Sequence, residues 1–286
     1  MRADHDTRPW REPGLLVGYD DSDDARFALG WALAEARLRH CAVTVCDVWS
    51  PPWDAGIDDL TANLFRSGES RILGEAVAMA RRWEHGIPVH PLLLRGFPVT
   101  ELRNASSQAD LLVVGSRGHG AIGHVLGSVS AGVAAHALCP VVIARPPLAH
   151  RPGTPIVAGF DGSDLARQAL KIAYWEAELH NAPLIVLRAL PPGAGCNDPA
   201  EPGLDLDIDR LGARYPSVRC RVETSPGKPR DVLLEAAQNA RMLVVGSRGA
   251  GGVRSLVLGS VSQYLVHHAP CTIVIAHHRG APKGHP

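Results

Sequence analysis

The chain states one pattern twice, and that duplication limits its fold more than any other feature. Leu111-Leu-Val-Val-Gly115-Ser-Arg-Gly118 returns as Met242-Leu-Val-Val-Gly246-Ser-Arg-Gly249, and each copy leads to a second Gly-Ser, at Gly127-Ser128 and at Gly259-Ser260. A repeat of this length means two copies of one structural unit rather than one larger design. The 286 residues suit two domains of roughly 140 residues each, large enough to bury a core without crosslinks. The expected domains are residues 1–147 and 148–286, and the proline-rich stretch from Arg145 to Pro155 reads as their linker.

Within the first repeat, Gly14-Leu-Leu-Val-Gly-Tyr19 is a short apolar run ending at Asp20, the pattern of a buried strand. Asp21-Ser22-Asp23-Asp24 then offers capping and first-turn chemistry. Ala25, Leu29, Ala32, Leu33 and Ala36 share one helical face. Further strands are expected over 42–49, 89–94, 111–114 and 141–144, with helices over about 69–84, 98–107 and 128–137. Asp54 to Leu60 reads as a solvated acidic loop. The second repeat keeps the order, with strands over 156–160, 184–189, 218–222, 242–245 and 272–276. Its helices are expected over about 165–180, 204–214, 229–239 and 260–268. Strands that are apolar nearly throughout, alternating with helices, imply a parallel sheet covered on both faces. The fold class is α/β, two tandem Rossmann-like open parallel sheets of five strands each.

Composition narrows the function classes. Lys plus Arg and Asp plus Glu both number 29, so net charge favours neither nucleic acid nor an anionic membrane as partner. No apolar run is long enough to cross a bilayer, and the first residues lack the apolar stretch of a signal peptide, so a cytoplasmic location is expected. The six cysteines form no C-x-x-C pair and read as core thiols, and the 14 histidines are scattered, so no metal site is expected. Trp31, Trp49 and Trp175 lie on apolar faces and read as core.

Gly246-Ser-Arg-Gly249 follows a predicted buried strand, and Gly259-Ser260 opens a helix. These are the parts of an anion site. Glycines let backbone N–H groups close on a ligand, the helix start adds donors without partners, and a serine hydroxyl adds one more. In an open α/β sheet the crevice beyond the strand ends is where ligands bind. Asp161 ends the first strand of its repeat and should face that crevice, to take a ribose hydroxyl or a base N–H. A capping role for Asp20 and Asp161 is the plainer alternative. Arg117 and Arg248 are open to two readings, phosphate contact or solvated surface. There is no Lys before the Ser and no G-x-G-x-x-G after strand one, which argues against a Walker-type kinase and a Rossmann dehydrogenase.

With these motifs in view, the chain resembles the universal stress proteins in their tandem form, from about Gly14 to Ala276. The carrying residues are Val-Gly-Tyr-Asp-Asp-Ser22, Val-Ala-Gly-Phe-Asp-Gly-Ser163, Gly96-Phe-Pro98, Gly227-Lys-Pro229 and the two glycine loops. The family's ATP motif is G-2x-G-9x-G-[ST], and the second repeat matches it residue for residue. The resemblance implies an adenine nucleotide alpha hydrolase-like fold that binds ATP, with Mg2+. It places Asp20 and Asp161 at the adenosine end, Val48 and Ala189 against adenine, and Gly96 and Gly227 by the ribose. Gly115, Gly118, Gly127 and Ser128, with Gly246, Gly249, Gly259 and Ser260, would hold the phosphates. It also implies an intramolecular pseudo-dimer, with a homodimer and a regulatory protein partner as further expectations.

The first repeat departs from the motif. Eight residues rather than nine separate Gly118 from Gly127, a loss that Gly120 and Gly123 are expected to absorb. Asp21 replaces a Gly and is expected to set a carboxylate near the phosphates. The function expected is that of a nucleotide-dependent regulator in the stress response, at most a weak ATPase. The alternatives are an interaction module without ATP and a binder of cyclic AMP.

Overall fold

Most of the strands are short, apolar and buried, and they pair in parallel because a backbone buried on both sides must satisfy every polar group within the sheet. The computed structural model describes residues 14–50, 59–118, 126–146, 153–190, 203–249 and 258–277. They fall into two compact units, Glu12–Ala144 and Arg145–His278.

The N-terminal unit runs β1 (Leu15–Gly18), α1 (Asp23–Arg39), β2 (Val43–Trp49), α2 (Asp59–Trp83), β3 (Val89–Arg95), α3 (Pro98–Ala105), β4 (Leu111–Gly115), α4 (Ser128–His136) and β5 (Val141–Ala144). Its strands lie in the order β3-β2-β1-β4-β5, all parallel, with Leu15 beside both Val43 and Leu111. The C-terminal unit repeats this with β6 (Ile156–Gly159), α5 (Asp164–Leu179), β7 (Leu184–Leu190), α6 (Leu204–Arg214), β8 (Cys220–Pro226), α7 (Pro229–Ala237), β9 (Met242–Gly246), α8 (Ser260–His268) and β10 (Thr272–Ala276). Its order is β8-β7-β6-β9-β10, again parallel. In the first unit α1 packs against α2, and α3 against α4, one pair to each face of the sheet.

The order reverses between β1 and β4, and between β6 and β9. Their carboxyl ends diverge there and leave a crevice, the place where α/β sheets bind ligands. The core between sheet and helices includes Val17, Val113, Leu29 and Ala32, each fully buried. The face expected on α1 is the face buried. Ser22 caps this helix by accepting from the Ala25 N–H at 3.2 Å, and His40 closes it in the left-handed conformation at φ 54°.

Two expectations change. The helix α2 begins at Asp59, not near Glu69. The helix runs through Gly68, and a single helical glycine costs only about 1 kcal/mol relative to alanine. Asp59 and Leu60 are therefore helical, and the rest of the expected acidic loop lies outside the described residues, as do Gly120 and Gly123. The strand β8 spans Cys220–Pro226 where 218–222 was expected. It follows β7 through Leu190↔Pro226, so pairing with its neighbour, more than its own apolar residues, sets its length. Among the described residues no helix is long and apolar enough to cross a membrane.

Candidate functional site

Each unit holds a cavity at its point of strand reversal, about 620 Å³ in the N-terminal unit and about 400 Å³ in the C-terminal one. Asp20 and Asp161, just past β1 and β6, line them. One oxygen of Asp20 accepts from the Ser22 N–H at 3.1 Å and from its hydroxyl at 2.6 Å. Asp161 holds Ser163 in the same way, at 3.1 and 2.6 Å. The serines therefore cap the helices and the aspartates brace the serines. The other oxygen of each aspartate faces the glycine loop. A carbon added to Gly118 would lie 2.4 Å from Asp20 Oδ2, and one added to Gly249 would lie 2.3 Å from Asp161 Oδ2. A side chain at either glycine would have to push the carboxylate aside.

The loops close through their backbone. The Gly127 N–H donates to the Ser116 carbonyl at 2.9 Å, and Gly259 to Ser247 at 2.8 Å. These glycines shape the cradle and do not spend that N–H on a ligand. The donors come next. Gly127 and Gly259 stand at the caps of α4 and α8 without a capping side chain, and Ser128, Val129, Ser130 and Ser260, Val261, Ser262 line the cavities. The N–H groups of a first helical turn have no ladder partner and sit at the positive end of the helix dipole. Ser130 and Ser262 lock each helix start to its strand, donating to the carbonyls of Gly115 at 2.7 Å and Gly246 at 2.6 Å. The spacing motif did not single out these two serines, although the repeated Gly-Ser-Val-Ser carries them.

The remaining expected residues divide. Val48 and Ala189 line the cavities at the ends of β2 and β7. Gly115 and Gly246 also line them, but their constraint is packing. An added carbon would lie 2.6 Å from the Asp24 carbonyl carbon or 2.9 Å from Leu165 Cβ. Gly96 and Gly227 stand at strand-to-helix turns with φ of 149° and 144°. The walls near them are Pro98 with Leu102, and Pro229 with Leu233. Trp49 is buried and Trp31 and Trp175 are half-buried, and none of them lines a cavity.

Electrostatics separates the two sites. Asp21 does not line the cavity, contrary to expectation. It takes the left-handed conformation at φ 63°, accepts from the Tyr19 hydroxyl at 3.0 Å and pairs with Arg26 at 2.9 Å. Burial and then the bond to Asp21 push the Tyr19 hydroxyl up to about 12. The acid that acts at the loop is Asp24, which holds Arg117 through Nε and Nη2, both at 3.1 Å, and accepts from Ser116 at 2.5 Å. Burial alone would raise its pKa, but the bonds from Arg117 and Ser116 outweigh burial and hold it below the usual carboxylate value. Cys46, another residue of the N-terminal cavity, is pushed up to about 12 by burial, then by the charges of Asp47 and Glu101.

A polyanion with an apolar head fits this geometry. The uncapped helix start, the loop glycine and an arginine line each cavity together with apolar side chains. In the C-terminal unit those parts are Ser260 to Ser262, Gly249, Arg248, and Leu233 with Val245.

Known proteins place the chain. The family model described as "Universal stress protein family" matches residues 14–145 and again 154–277. A universal stress protein of Mycolicibacterium smegmatis is 32% identical over 94% of this chain and 98% of its own length. One from Mycobacterium tuberculosis is 31% identical over 92% and 96%. A crystal structure of a universal stress protein from Archaeoglobus fulgidus shares the fold, at a TM-score of 0.71 with 23% identity, covering 94% of this chain and 96% of that one. The duplicated α/β unit, the strand-end aspartates and the paired glycine loops are accounted for together: the chain belongs to the universal stress protein family.

Proposed function

We propose that this protein is an ATP-binding regulator of the stress response, with each repeat a universal stress protein domain. The observation that carries the reading is the C-terminal cradle. Its motif spacing is intact, its helix start is uncapped by any side chain, and the Asp161 carboxylate stands against Gly249. ATP would lay its phosphates on Ser260, Val261 and Arg248, with Mg2+ neutralising part of their charge, and its base against the end of β7 beside Ala189. Binding a ligand there would shift a conformational or association equilibrium by the difference in its affinity for the two states.

Isothermal titration of the intact protein with ATP tests this, alongside mass spectrometry of any ligand that copurifies. Saturable binding with competition by ADP is the expected result. Absence of saturable binding would leave an interaction module without nucleotide. Displacement of ATP by cyclic AMP at lower concentration would reassign the ligand.

A further inference from the structure

The loop arginine occupies the same place in both repeats but in different surroundings. Arg117 is held at both Nε and Nη2 by Asp24. Asp24 stands two residues after the capping Ser22, and the residue two after Ser163 is Leu165. Leu165 offers no acceptor. Arg248 lines its cavity half-buried and makes no ion pair among the described residues. Neighbouring positions lean the same way. Glu101, whose Oε1 would lie 2.5 Å from a carbon on Gly96, corresponds to Val232, and Phe97 corresponds to Lys228.

We propose that the residue at this helix start, Asp24 or Leu165, sorts the ligands of the two cavities. The C-terminal cavity takes the nucleoside polyphosphate, and the N-terminal cavity takes an adenine nucleoside without a charged tail. The inference rests on the nucleotide-binding reading above and divides it between the sites. A guanidinium held at Nε and Nη2 by a carboxylate has two of its five N–H donors taken and its charge neutralised, so it attracts phosphate less than a guanidinium with no carboxylate beside it. A half-buried guanidinium without a counter-ion is costly until an anion arrives. The two cavities share the strand-end aspartate, the β2 or β7 backbone, the apolar wall and an uncapped helix start, so what separates them is the charge that the arginine presents beside that start.

Titrating ATP and adenosine into the full chain tests the division. Wild type should show one tight ATP site per chain, and the second site should prefer adenosine to ATP by at least tenfold. Arg248→Leu should weaken the tight ATP site at least tenfold. Asp24→Leu should release Arg117 and raise ATP stoichiometry from one towards two. Asp24→Asn, which keeps the shape and removes the charge, should move in the same direction if the leucine variant fails to fold. Two equal ATP sites in wild type would overturn the proposal while leaving ATP binding intact, as would folded Asp24 variants that keep a single site. No ATP binding to wild type would sink the nucleotide reading itself, and this inference with it.

Discussion

The two cavities share their frame, yet they treat charge differently. Both have an aspartate against a loop glycine, a serine-locked helix start and an apolar wall. In the N-terminal unit the loop arginine pairs with Asp24, whereas in the C-terminal unit Leu165 takes that place and Arg248 has no carboxylate partner among the described residues. The lesson is that a motif fixes where backbone donors stand but not the net charge a ligand meets. That charge is set by residues outside the motif, brought in by the sheet.

The comparison breaks most sharply at Gly249. Its added carbon would strike Asp161 Oδ2 at 2.3 Å, so Gly249→Val should cost ATP affinity on the order of a hundredfold, about 2.7 kcal/mol. Gly118→Val, in the other cradle, should leave the tight ATP site in place, and calorimetric stoichiometry reads both results. If the Gly118 variant loses ATP and the Gly249 variant keeps it, the two sites have been assigned the wrong way round.

A smaller effect tests the frame rather than the site. The buried Asp110 accepts from the Gly14 N–H at 3.0 Å. Pro155 stands at the equivalent place in the second repeat and has no N–H to satisfy, and Arg241 takes the place of Asp110. Asp110→Ala should destabilise the N-terminal unit by about 1–3 kcal/mol through an orphaned buried donor. Hydrogen exchange at β1 measures it, and unchanged protection there would disprove the bond's role.

Asp161→Ala should weaken ATP about tenfold, roughly 1.4 kcal/mol, because it loses an acceptor and the brace on Ser163. Asp20→Ala should weaken adenosine more than ATP. Equal losses of ATP from both variants would erase the proposed distinction.

The smallest effect at neutral pH comes from Cys46, whose counterpart is Leu187. Its folded pKa is raised, so the folded state holds the thiol proton more tightly than the unfolded chain does. The resulting stability is complete below the ordinary thiol value of 9.0 and is lost as pH rises towards about 12. Urea unfolding should show this alkaline loss in wild type and less of it in Cys46→Val. An identical alkaline limb in the variant would assign it to other groups.

Local chemistry explains what was readable beforehand. The face of α1, the start of α8 at Ser260 and the span of α6 follow from apolar spacing and capping residues within a few positions of one another. The start of α2 was missed because the stretch after Pro51-Pro52 reads as one long loop. Among the site residues, Asp20, Asp161 and the loop glycines were readable because the repeat displays each of them twice.

By itself the sequence determined two α/β units, with a glycine-rich turn at the end of the fourth strand of each. Only the tertiary structure decided that Asp21 turns to Arg26, and that Asp24 reaches across 93 residues to take Arg117. The physical reason is that helix caps and strand patterns are written in neighbouring residues. An ion pair is written by the crossover connections, which bring the end of β4 beside the first turn of α1.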